Sequence, residues 1–529
     1  MHLRRPQTKF KKARFMKKIL LISLLLIALL LSSCNLNSPN GDTESGGNNI
    51  LEDTSHAHTD TNEDTKCDVC KLSVLIELDF YAINDLHGKI ADSDSQPGVD
   101  ELTTFLKNSR ANDSNVVLLS SGDMWQGSSE SNLTKGLIMT EWMNELDFSS
   151  MTLGNHEFDW GEEYIEDNLE MAEFPFLAIN IYDRATNERV DYADASVMIE
   201  QSGVKIGIIG AIGNCYSSIA TDKSENVYFK TGNELTELVT EESKRLRDEG
   251  ADLIVYSVHD GHDSSGNSGI SDSKLSGYYS PSLSKNKHVD IVFEGHTHKS
   301  YVLKDSYGVY HIQNGGDNKG ISHAEIMFNV ANEKFVVTES EVISSSVYSK
   351  LSSDTLVSEL LEKYKNTIAA GNEVLGTNAK KRYSSELEQL VADLYLKAGL
   401  EKWGDRYEIF LGGGFIKARS PYNLEAGKVK YSDLQMIFPF DNELKLCSIQ
   451  GKYLKSRFIN TSSEDYFISL SDYGNENKAN INDSATYYVI VDSYTSGYAK
   501  NNLTVIETYD TTTFARDLLG EYIKSGGLG

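Results

Sequence analysis

Gly154-Asn155-His156-Glu157-Phe158-Asp159 follows a short apolar run at residues 150–153 and packs an amide, an imidazole and two carboxylates into six residues. Four other stretches repeat the pattern of an apolar run that ends in ligand-type side chains. They are Asn84-Asp85-Leu86-His87-Gly88, Gly122-Asp123, His259-Asp260-Gly261-His262 and Gly295-His296-Thr297-His298. Taken singly, each has an ordinary explanation as a turn, a helix cap or a strand end. Taken together and in this order, they supply Asp, His and Asn, hard and borderline ligands suited to Zn, Mn or Fe. Five such sets at successive strand ends predict a two-metal hydrolytic centre.

The surrounding chain supports that placement. Strand-like runs at residues 74–83, 116–120, 205–212, 252–258 and 289–294 alternate with helix-like patterns at 99–109, 137–146 and 234–248. Strands separated by helices predict an α/β fold. In such sheets ligands gather beyond the carboxyl ends of the strands, where four of the five motifs fall. The run before Gly154 is short for a strand.

The chain has 529 residues, enough for two domains with additional segments. Acidic residues exceed basic ones by 78 to 50, for a formal charge of −28, which disfavours nucleic-acid binding. The same charge repels phosphate at long range, so a phosphate site must be locally cationic, and bound metal ions meet that need. The five cysteines, Cys34, Cys67, Cys70, Cys215 and Cys447, form no disulfide framework.

The first 33 residues have the basic, apolar and small-residue order of a secretory signal. Cys34, directly after two serines, resembles a bacterial lipobox cysteine, which predicts lipidation there and an extracytoplasmic, membrane-anchored protein. Met16 also begins a compact signal by itself. Residues 34–73 are polar and read as a tether. Within it, His56, His58, Cys67 and Cys70 suit a small zinc knuckle; a solvated linker or a Cys67–Cys70 disulfide are the alternatives.

The ordered set D-x-H, G-D, G-N-H-E, a later His and G-H-x-H resembles the calcineurin-like metallophosphoesterase superfamily. With the C-terminal features below, it is similar to the bacterial 5′-nucleotidase and UDP-sugar hydrolase branch. The resemblance implies a four-layer catalytic β-sandwich flanked by helices over residues 74–345, a connecting segment at 346–371 and a smaller α/β substrate-binding domain at 372–529. It further implies two divalent ions, Zn, Mn or similar. One is held by Asp85, His87 and His298, the other by Asn155, His259 and His296, with Asp123 between them. His156 then acts on the leaving oxygen and Asp159 orients it, whereas His262 is left a supporting hydrogen-bonding role.

The C-terminal part is rich in Tyr and lacks His, so it is expected to select substrate. The family's Pro-Phe-x-Asn segment matches Pro439-Phe440-Asp441-Asn442, which implies one aromatic wall of a base slot, and Tyr494 falls where the family places the other. A base between two rings gains about 1–3 kcal/mol from stacking. Gly412-Gly413-Gly414 reads as a glycine loop preceding Lys417 and Arg419, candidate phosphate or carboxylate contacts, and Arg382 is a further candidate cation. Leu411 stands where the family has Asn, and the Gly-Gly-Asp-Gly stretch after the second aromatic is missing. The implied activity is release of phosphate from nucleoside 5′-monophosphates. The alternatives are a 2′,3′-cyclic-nucleotide phosphodiesterase/3′-nucleotidase, a UDP-sugar hydrolase, or a nucleotide-binding scavenging lipoprotein without turnover.

Overall fold

Strand β1 (Leu75–Ile83) starts as an alternating strand and ends with both faces buried, so it must lie between two layers. A computed structural model of the chain shows those layers. It describes residues 57–92, 97–261, 280–416, 423–459, 469–471, 480–498, 502–510 and 513–529. The expectations on residues 1–33, Cys34, His56, His262, Lys417 and Arg419 lie outside these residues.

β1 pairs in parallel with β2 (Val116–Ser120), followed by β3 (Ser150–Thr152) and β4 (Phe176–Leu177). The second sheet contains β5 (Ser196–Gln201), β6 (Val204–Ile212), β7 (Leu253–His259), β8 (Ile291–Glu294), β9 (Tyr301–Lys304) and β10 (Tyr310–Gln313). The chain then returns to the first sheet as β11 (Gly320–Asn329), antiparallel to β1, and β12 (Lys334–Ser344). The orders are β12-β11-β1-β2-β3-β4 and β9-β10-β8-β7-β6-β5.

Alternation along the strands explains why the two sheets stack. Ile76, Leu78, Phe80 and Ala82 of β1 meet Ile206 and Ile208 of β6 and Val255 of β7 in one buried cluster. The opposite faces carry helices. Tyr81, Ile83 and Leu118 pack beneath α1 (Asp100–Asn112) and α2 (Leu137–Glu145). Ile209, Ala211 and Ile254 pack beneath α3 (Asn233–Asp248), whose Leu235, Val239 and Leu246 form the buried stripe expected of an amphipathic helix. The result is a helix–sheet–sheet–helix stack.

α4 (Thr355–Ile368) starts at Asp354, whose carboxylate accepts the Leu356 N–H at 2.8 Å. Beyond it lies a five-stranded sheet built from β13 (Ile409–Gly414), β14 (Leu444–Gln450), β15 (Ser469–Leu470), β16 (Thr486–Asp492) and β17 (Thr504–Thr508), in the order β15-β13-β16-β14-β17. The three glycines expected to form a loop instead end β13, where they are buried. A Cβ on Gly412 would sit 2.4 Å from the Ala392 carbonyl oxygen, so the missing side chain lets α5 (Ser384–Trp403) pack directly on the strand.

Candidate metal centre

The ligand-type residues sit where strands stop. Asp85 and His87 follow β1, Asp123 follows β2, Asn155 follows β3, His259 closes β7, and His296 and His298 follow β8. Asp85, His87, Asp123, His296 and His298 all adopt left-handed backbone, with φ of 52°, 53°, 56°, 75° and 53°. None is glycine, so each conformation is strained and must be held by its surroundings; such residues cluster at functional sites. Gly154 meets the crowding another way: a Cβ there would lie 2.3 Å from Asp123 Oδ1.

The side chains converge. Asp85, His87 and His298 bring one ligand atom each within 4.8 Å of one another, as do Asp85, Asp123 and His259. His87 Nε2 and His298 Nε2 are 2.9 Å apart, His298 Nε2 lies 3.2 Å from Asp85 Oδ1, and His259 Nε2 lies 3.0 Å from Asp123 Oδ2. Yet Asp85 Oδ1, Asn155 Oδ1 and His259 Nε2 are buried without a hydrogen bond. Buried polar atoms that approach one another but do not pair fit positions around a cation. The tautomers agree: His87 Nδ1–H donates to the Gln126 carbonyl at 3.1 Å and His259 Nδ1–H to the Ser121 carbonyl at 2.6 Å, which turns each Nε2 inward.

In the bare protein charge treats the two imidazoles of this group oppositely. Burial opposes protonation of His259, but the Asp123 charge outweighs it and brings the imidazole up to about 10. For His296, burial and then the His259 charge push the imidazole down to about 4, the neutral form a ligand needs. Cys215 also approaches His259 and His296, but burial, reinforced by the Asp260 charge, pushes its thiol well up. Its Sγ–H donates to the His259 carbonyl at 2.7 Å, so it braces the loop as a thiol.

His156 stands beside this cluster. Its Nδ1–H donates to Asp159 Oδ2 at 2.7 Å, its backbone N–H to Asp123 Oδ1 at 2.9 Å, and its ring lies 5.5 Å from that of His87. Asp159 closes the short 3₁₀ turn His156–Phe158 instead of starting a helix.

Sequence patterning assigned nothing to Glu157, although it ties two of the loops together. Its carboxylate accepts the N–H of Asp123 at 2.9 Å and of Gly154 at 2.7 Å on one oxygen, and of Met124 at 2.9 Å on the other. E157Q replaces an acceptor oxygen with an NH₂ that faces buried N–H groups, at a cost of about 1–3 kcal/mol per unpaired group. The expected result is a lower Tm and metal content below that of the wild type, read by calorimetry and elemental analysis. An unchanged Tm with full metal content would show that these N–H groups need no carboxylate.

Residues 78–300 match the calcineurin-like phosphoesterase model. Residues 78–300 form a calcineurin-like phosphoesterase domain. Such domains work with divalent metals and belong to phosphoric ester hydrolases. Among the chain's relatives, the endonuclease YhcR of Bacillus subtilis is 26% identical over 75% of this chain, which spans only 34% of YhcR. A 5′-nucleotidase of Vibrio vulnificus is 26% identical over 72% of this chain and 74% of its own length. A solved 5′-nucleotidase precursor from Thermus thermophilus shares the fold, with TM-score 0.63 and 18% identity, over 85% of this chain and 96% of that one.

The C-terminal half meets the phosphoesterase domain at Phe440, in the segment just before β14, and the Phe440 ring stacks near His156 at 5.8 Å and 23°. Asp441 anchors that segment, pairing with Lys135 at 2.7 Å and with Arg516. Ser129 adds a hydrogen bond to Gln435 at 2.6 Å. Phe440 and Asn442 line a cavity with Phe415, Phe438, Asp492 and Arg516. Tyr494 stands edge-on to Phe415 at 5.6 Å, and its hydroxyl is pushed up by burial, then by the charges of Asp492 and Asp159. Phe415, which follows the glycines, is a cavity residue that the sequence pattern did not single out. Arg382 does not line this cavity; its Nε donates to Asn378 at 3.1 Å.

Proposed function

We propose that the chain is a two-metal 5′-nucleotidase that hydrolyses nucleoside 5′-monophosphates outside the cytoplasm, tethered through a lipid on Cys34. Asp85, His87 and His298 hold one divalent ion, Asn155, His259 and His296 the other, and Asp123 lies between them. Zinc and manganese both suit these donors. Two such ions supply positive charge to the phosphoryl oxygens and an activated water for in-line displacement. With Nδ1–H of His156 donated to Asp159, Nε2 is the ring nitrogen left to face the departing ester oxygen, and the doubly protonated imidazolium delivers its Nε2 proton there. Water adds to phosphorus, the P–O ester bond breaks, and the nucleoside leaves as an alcohol.

The observation that carries the nucleotide reading is Phe440 stacked beside His156, at the edge of a cavity lined by aromatic rings and Asn442. A simple phosphate monoesterase needs no aromatic wall next to its proton donor. The 5′-nucleotidases among the chain's relatives and its fold neighbours agree with this reading.

The test is phosphate release from AMP, GMP, UMP, 3′-AMP, 2′,3′-cyclic AMP, UDP-glucose and a plain aryl phosphate, after chelation and after Mn or Zn is restored. Metal-restored activity concentrated on 5′-monophosphates is expected. F440A is expected to raise KM for AMP by about 5- to 150-fold, the equivalent of about 1–3 kcal/mol of stacking, and to leave the aryl ester unaffected. Equal losses on both substrates would remove the base slot, and a preference for cyclic or 3′ substrates would keep the centre and change the specificity.

A further inference from the structure

Just ahead of β1, residues 59–74 fold into a small closed loop with few apolar side chains of its own. Asp60 shapes it, accepting the Asp64 N–H at 3.0 Å and the Thr65 N–H at 2.9 Å, and Asp68 accepts the Thr61 N–H at 3.0 Å. A hairpin closes over it: Cys67 N–H donates to the Leu72 carbonyl at 2.8 Å, Val74 N–H to the Thr65 carbonyl at 3.0 Å, and Lys66 bridges to Ser73. Lys71, at φ 65°, turns the tip.

This loop brings His58, Cys67 and Cys70 together, with their ligand atoms within 4.8 Å of one another. Cys70 Sγ and His58 Nδ1 are 3.6 Å apart. A tetrahedral zinc with Zn–S near 2.3 Å and Zn–N near 2.05 Å sets those two atoms about 3.6 Å apart. Neither cysteine is in a disulfide, and Cys67 is fully buried.

We propose that His58, Cys67 and Cys70 form a structural zinc site, separate from the catalytic centre, that pins the segment entering β1. Two thiolates and an imidazole select a soft or borderline ion over Mg or Ca, and the two-residue spacing within Cys67-Asp68-Val69-Cys70 is that of a zinc-binding turn. The trio leaves a fourth coordination position for a ligand from outside it. The loop has little core of its own, so the metal supplies the cross-link that hydrophobic burial does not. The proposal does not depend on what the catalytic centre hydrolyses.

The test compares the full chain with C67S/C70S, each saturated with zinc and freed of excess. The wild type is expected to carry one zinc equivalent more, and equal contents would overturn the proposal. Should the double variant fold poorly, thiol alkylation of the wild type decides. Zinc is expected to protect Cys67 and Cys70 from iodoacetamide, and a strong chelator to expose both. Full alkylation in the zinc-loaded protein, or recovery of the pair as an intramolecular disulfide, would overturn the site. H58A is expected to weaken the protection at least tenfold in zinc concentration, while the catalytic metals stay bound.

Discussion

H156A is expected to keep both catalytic metals and to lose kcat by about 10²- to 10⁴-fold, the range for removing a positioned proton donor. The geometry separates the two outcomes. His156 Nδ1 is occupied by Asp159 at 2.7 Å, and only its backbone N–H reaches Asp123. Alanine keeps that backbone donor, so the Asp123 carboxylate retains its partner while the proton is lost from the leaving-group side. D159N is expected to fall between the wild type and H156A, because the amide oxygen still accepts the ring Nδ1–H but no longer places a negative charge beside it. The loss is predicted to shrink for substrates with good leaving groups, such as an aryl phosphate, which need little protonation. Steady-state kinetics on AMP and an aryl ester, with elemental analysis of each variant, measures all of this. Loss of a metal equivalent in H156A would make His156 a ligand and reverse its role.

Phe440 gives this prediction a second edge. Its ring stacks near that of His156, so the imidazole of the phosphoesterase domain lies against the C-terminal half of the chain. Lys135, Asp441 and Arg516 hold that approach through a chain of charges in which Asp441 is kept below the usual carboxylate range despite its burial, chiefly by Arg516 and Lys135. Aligning substrate with the proton donor therefore depends on residues from both halves of the chain.

What the sequence made legible follows from how each feature is encoded. The strand ends at residues 83, 120, 259 and 294 are preceded by apolar runs buried on both faces, and such runs are conspicuous. β11 and β12 are less so, because β12 alternates between half-buried and exposed residues and sits at a sheet edge. The left-handed backbone at Asp85, His87, Asp123, His296 and His298 leaves only a weak mark in residue type, since Asp and His are enriched there yet mostly adopt other conformations. Glu157 was hidden for a related reason: its partners are backbone N–H groups of residues up to 34 positions away. The glycines at 412–414 misled in the opposite direction. They serve helix packing on a strand, and that use looks the same in sequence as a flexible loop.

D123A is expected to cost more than any other single change, with activity falling below about 10⁻³ of the wild type and at least one metal equivalent lost. Asp123 ties the His259 side of the centre to the His156 side. Oδ2 faces His259 Nε2 at 3.0 Å, Oδ1 accepts the His156 N–H, and its backbone N–H is fixed by Glu157. Its charge is also the largest influence favouring the protonated form of His259, so in the bare protein the two hold each other against burial. A metal replaces that proton, and binding should therefore release protons and tighten as pH rises. D123N separates charge from shape. The amide oxygen can still accept the His156 N–H, yet the negative charge is gone, so the His156 loop keeps its place while affinity for the ions drops. If D123N bound two equivalents as tightly as the wild type, Asp123 would be a scaffold residue and the centre would have to be rebuilt around Asp85 alone. If it loses metal but recovers activity at millimolar Mn or Zn, the carboxylate acts chiefly by holding the ions. Loss of activity that persists at full occupancy would mean that its charge is also needed in the reaction itself.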